Sequence, residues 1–86
     1  MLLQPSVLWK LRGQSGTPVT CSIERARTLY HVLLEIGHES RQRDTYIRED
    51  DALAHVTFLY RDLVSNGWTE TYRREDLVSV VSPLRR

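Results

Sequence analysis

The sequence predicts an α+β two-layer sandwich. It is a four-stranded antiparallel meander in the order β-β-β-β-α, with one amphipathic helix packed on one face and a short C-terminal strand as a further candidate element. Three observations carry this. Apolar residues alternate with polar ones at period two through the first half, the pattern of half-buried strands. From Glu49 the spacing changes to three and four residues, the pattern of a helix with one apolar stripe. The chain has 86 residues, room for a single domain over 1–86. In so short a chain neither a lone sheet nor a lone helix can bury its apolar face.

In the first strand Val7, Trp9 and Leu11 alternate with Leu8, Lys10 and Arg12. Gly13, Gly16 and Pro18 then mark a hairpin loop. Val19, Cys21 and Ile23 alternate with Thr20, Ser22 and Glu24, and the β-branched content favours a second strand. Residues 25–28 form a polar link. The third strand spans 29–36 and is apolar on both sides, which places it inside the sheet. Gly37-His38 suits a tight type II′ hairpin, because glycine accepts the positive φ required there. The fourth strand, 40–47, is polar and carries Arg41 and Arg43, as an edge strand should to discourage edge pairing.

Glu49, Asp50 and Asp51 put negative charge where a helix N-terminus favours it. Ala52, Leu53, Val56, Leu59, Tyr60, Leu63 and Val64 form the stripe, with His55, Thr57, Arg61 and Asp62 away from it. Asn66-Gly67 ends the helix, since glycine takes the left-handed C-terminal position without strain. Trp68 can fold back on the last turn. The core is expected over 6–68. Residues 69–86 form a C-terminal extension in which 69–74 alternate weakly and Leu77, Val78, Val80 and Val81 are apolar.

Twelve basic and eleven acidic residues give a net charge of +1, which excludes a strongly basic nucleic-acid arm and an acidic tail. Eleven of the twelve cations are arginine. No apolar run approaches the ~18 residues of a membrane-spanning helix, and the N-terminus does not read as a signal peptide. A single cysteine, Cys21, can form no internal disulfide, so a reducing, cytoplasmic location is expected.

The segment Trp9-Lys10-Leu11-Arg12-Gly13-Gln14-Ser15-Gly16, then Cys21-Ser22-Ile23, then an acidic-led helix ending Asn66-Gly67-Trp68, resembles a set of small uncharacterised bacterial proteins over roughly residues 7–68. The resemblance implies the same strand–loop–strand and helix. It transfers no activity and no functional residue.

The predicted inner face carries Val7, Trp9, Leu11, Val19, Cys21, Ile23, Tyr30, Val32, Leu34 and Ile36. The outer face carries Leu8, Lys10, Arg12, Thr20, Ser22, Glu24, His31, Leu33, Glu35, Arg41 and Arg43. His31, His38 and His55 are isolated and read as solvated side chains, so no metal and no cofactor is expected. Cys21 reads as a buried inert thiol. The glycines before the second strand lead into no helix N-terminus, which argues against a phosphate loop. No catalytic constellation emerges, and a non-catalytic protein is expected. Its first functional reading is a protein-binding or regulatory module that self-associates as a homodimer through Leu8, Leu33, Phe58, Leu77, Val78, Val80 and Val81. Phe58 falls off the ideal stripe and would be exposed, at an interface or covered by the tail. The alternative is a nucleic-acid-binding module in which Lys10, Arg12, Arg41 and Arg43 share one sheet face. Glu24, Glu35 and the lack of an aromatic on that face weigh against it.

Overall fold

The computed structural model describes residues 6–74. The elements are β1 (Ser6–Arg12), β2 (Pro18–Ala26), β3 (Leu29–Ile36), β4 (Ser40–Tyr46), α1 (Glu49–Ser65) and β5 (Thr69–Arg73). They form the expected α+β arrangement: an antiparallel sheet in the order β4-β3-β2-β1-β5, with α1 on one face. The weakly alternating segment at 69–74 thus supplies a fifth strand, paired with β1. Leu77, Val78, Val80 and Val81 lie outside the described residues. Among the described residues no helix is long and apolar enough to cross a membrane.

The position of β5 follows from the length of α1. Seventeen helical residues span about 25 Å at ~1.5 Å per residue. Five strands at ~4.8 Å spacing set the outer two about 19 Å apart. The helix therefore reaches across the sheet. In its first half His55 Nε2 meets Asp44 of β4 at 3.2 Å. In its second half the Tyr60 hydroxyl donates to Glu70 of β5 at 2.6 Å. The chain leaves one edge and is delivered to the other, where the Arg74 amide donates to the Leu8 carbonyl at 2.8 Å and closes off β1.

Leu8, Trp9, Leu11, Val19, Cys21, Val32, Leu34, Ala52 and Val56 form the buried core, flanked by half-buried Ile23, Tyr30, Ile36, Tyr46, Leu53, Leu59, Tyr60, Leu63 and Trp68. The Trp9 ring meets Tyr60 edge-on, with centroids 5.8 Å apart at 68°, a geometry that sets ring edge against ring face. Among the described residues Trp9 Nε1 finds no hydrogen-bond partner, and the ring's contribution there is area and packing. A Cβ at Gly13 would come within 3.2 Å of the Trp68 ring. That close approach lets Trp68 cover the β1–β2 hairpin.

The first strand departs from the expected alternation. Val7 opposes Ser22 and Trp9 opposes Cys21, leaving Leu8 as the extra residue of a β-bulge. A bulge turns two successive side chains to one side. Leu8 therefore joins Trp9 in the core at 0% exposure, and Val7, half-buried, sits opposite Ser22 on the outer face. Both assignments reverse those read from the sequence, and Leu8 is not available as a surface contact. A second bulge between Lys10 and Leu11 leaves Thr71 of β5 unopposed.

Smaller differences have local causes. The 25–28 link shrinks to Arg27-Thr28, closed by the Ala26–Leu29 pair, with Arg27 at φ 60°. The β3–β4 loop has three residues, because Ile36 opposes Ser40, and Gly37 takes φ 62°. Ile47 follows β4 and is exposed. Arg48 caps α1 in an extended conformation without a side-chain hydrogen bond, so Glu49, Asp50 and Asp51 complement the unpaired amides by charge. At the other end Gly67 takes φ 97° and the Trp68 amide donates to the Leu63 carbonyl at 3.1 Å. Val64, placed on the stripe by spacing, lies at its exposed margin.

Candidate functional site

The face of the sheet opposite α1 is assembled by register. Tyr72, Lys10, Thr20, Glu35 and Arg41 form one transverse row across all five strands. Val7, Ser22, Leu33 and Arg43 form the next row, and Glu24, His31 and Thr45 the one after. Arg12 lies opposite Thr69 of β5. The four cations expected on one face are there, because alternation within a regular strand is a local property. All four are exposed.

Tertiary structure divides them into two pairs. Lys10 and Arg12 belong to β1, and Arg41 and Arg43 to β4. Three strand spacings separate the pairs, about 14 Å. Arg41 Nη2 holds Glu35 Oε2 at 2.7 Å, so part of its charge is met within the face. No carboxylate of the described residues lies within salt-bridge distance of Lys10, Arg12 or Arg43. Thr20 and Glu35 separate the pairs in one row, and the buried Ser22 and half-buried Leu33 in the next. One row beyond Arg43, His31 Nδ1 shares a 2.9 Å hydrogen bond with Thr45 Oγ1.

Tyr72 is the residue that sequence reasoning missed. It is exposed and directly opposes Lys10, so the face does hold an aromatic ring. Plain alternation would put Thr69, Thr71 and Arg73 on one side and Glu70 and Tyr72 on the other. The bulge at Thr71 breaks that parity. Thr69 and Tyr72 share the outer face, while Glu70 and Arg73 turn inward, 3.4 Å apart.

The remaining candidates fall elsewhere. Leu33 is half-buried on the same outer face. Phe58 is 61% exposed, on a side of α1 with Ala54, Arg61 and Asp62. His55, read as solvated, instead hydrogen-bonds Asp44 and lies with its ring centroid 5.7 Å from that of Tyr46. Burial, then the charges of Asp44 and Asp51, raise the Tyr46 hydroxyl pKa. Burial, then the hydrogen bond to Glu70, raise that of Tyr60. Cys21 is buried as expected, and burial pushes its thiol up to about 12. Such a thiol carries almost no thiolate near neutrality, and the thiolate is the nucleophile. Among the described residues no three of His, Cys, Asp and Glu gather where a metal ion could be held. Comparison with protein-family models, with curated proteins and with solved structures finds no match to this chain.

Proposed function

We propose that the protein is a small non-catalytic binding module, and that the sheet face opposite α1 binds nucleic acid. The observation that carries this reading is the placement of exposed Tyr72 beside Lys10 and Arg12 on a face that also holds Arg41 and Arg43. Cations supply the sequence-independent attraction to phosphate. Hydroxyls such as Thr20 and Thr69 add donors to phosphate oxygens. The net charge of +1 is an average over the molecule. Locally, four cations face two carboxylates, Glu24 and Glu35.

Titration of labelled single-stranded and duplex oligonucleotides at low and at physiological salt tests the reading. Binding should weaken with salt, with a slope of roughly 0.7–0.9 per phosphate contact. Lys10→Glu with Arg12→Glu should flatten that slope and lower affinity by about tenfold or more. All these positions are exposed, so circular dichroism should show an intact fold. Absence of binding at low salt, or an unchanged slope after charge reversal on both β1 and β4, would overturn the proposal.

Self-association is a second reading, favoured by Phe58. Its ring is 61% exposed on α1, and Ala54, one turn before it, leaves room for a partner's ring. Pairing of two copies through this side would leave both sheet faces outward. Sedimentation equilibrium should then show a dimer that Phe58→Ser converts to monomer. A monomer at every concentration removes this reading and leaves the first untouched.

A further inference from the structure

Resting on the nucleic-acid reading, we infer that the site takes a single strand, and that Tyr72 is the platform on which one of its bases stacks. A five-stranded sheet face is about 19 Å wide between its outer strands. The major groove of a duplex is ~12 Å wide and admits a helix or a two-stranded ribbon. The face cannot enter it, so a duplex could meet these residues only through its phosphates. An exposed aromatic ring would gain nothing from such a partner, because duplex bases are stacked on one another.

A single strand uses the same residues fully. Tyr72 and Lys10 are a cross-strand pair, which sets their Cβ atoms about 5 Å apart. Arg12 follows two positions along β1 on the same face, about 7 Å away. A base lying on the Tyr72 ring keeps its flanking phosphates within reach of the long Lys10 and Arg12 side chains. Further along the strand, the Arg41 and Arg43 pair lies about 14 Å away across the face. Between the two pairs lie Thr20 and Glu35 in one row and Ser22 and Leu33 in the next. Glu35 is held by Arg41 at 2.7 Å, so the carboxylate on this path is already paired. Stacking on an aromatic ring tolerates any base, so this geometry describes binding without strong sequence preference. It applies to single-stranded DNA and RNA alike.

Fluorescence anisotropy with a labelled oligothymidylate, the matching oligouridylate and a duplex of equal length distinguishes the possibilities. The single strands should bind more tightly than the duplex. Tyr72→Ala should weaken single-strand binding by between about five- and a hundredfold, the range for loss of one stacked base. Tyr72→Phe keeps the ring and should bind as the native protein does. Duplex affinity should be the same for all three. Equal loss on single strand and duplex with Tyr72→Ala would overturn the inference, as would no loss at all. If Tyr72→Ala is neutral while Lys10→Glu with Arg12→Glu abolishes binding, the stacking inference falls and the broader reading stands. If the native protein binds no oligonucleotide, both fall.

Discussion

Leu8→Ala is expected to destabilise the protein by about 2–5 kcal/mol, the cost of emptying a buried leucine site, whereas Val7→Ala should cost no more than about 1 kcal/mol. Leu8 is fully buried and Val7 half-buried, although uninterrupted alternation from Trp9 and Leu11 would reverse them. The bulge opposite Cys21 is the cause. Domains of this size are stabilised by roughly 0.05–0.15 kcal/mol per residue, so the Leu8 change removes a large share of the total. Urea midpoints of the two variants read the difference directly. A polar pair sharpens it: Leu8→Asp should prevent folding, because the carboxylate would have no water and no partner, while Val7→Asp should fold. Equal or inverted effects would show that β1 carries no bulge and that Leu8 lies outside.

Alkaline pH is expected to unfold the protein through Cys21. Burial raises its thiol from 9.0 to about 12, so the folded chain retains a proton that the unfolded chain gives up. The stabilisation is complete below pH 9 and is lost as pH rises toward the folded value. In that window the loss approaches about 1.4 kcal/mol per pH unit. Tyr46 and Tyr60 are shifted in the same direction. Their unfolded values start at 10.0, so between pH 9 and 10 the effect belongs mainly to Cys21. Urea midpoints of the native protein should fall across that interval, while those of Cys21→Ala, although lower at neutral pH, should stay level. Parallel curves for the two proteins would show that Cys21 titrates in the fold as it does in the unfolded chain. A thiol reagent should likewise modify the native protein only when it opens.

The same residue shows what local pattern can reveal. Val19, Cys21 and Ile23 stand on the helix side because β2 pairs regularly with β3 along its length, and a regular strand reverses its side chains at every step. The order of the first four strands, the helix from Glu49 and its end at Gly67 were equally legible, since each depends on periods, charges and turn residues a few positions apart. The four cations of the candidate site were placed on one face for the same reason. Tyr72 was not, because its side depends on an extra residue at Thr71 and on a partner strand some sixty positions earlier.

By itself, then, the chain specified the meander, the helix and which positions of the regular strands share a face, because those follow from backbone geometry repeated over short distances. Packing alone decided that β5 docks on β1, that Leu8 enters the core beside Trp9, and that Tyr72 comes to rest against Lys10. Those outcomes depend on how α1 spans the sheet and on which register buries the most apolar surface. That choice is made between segments far apart in the chain, and no local period records it.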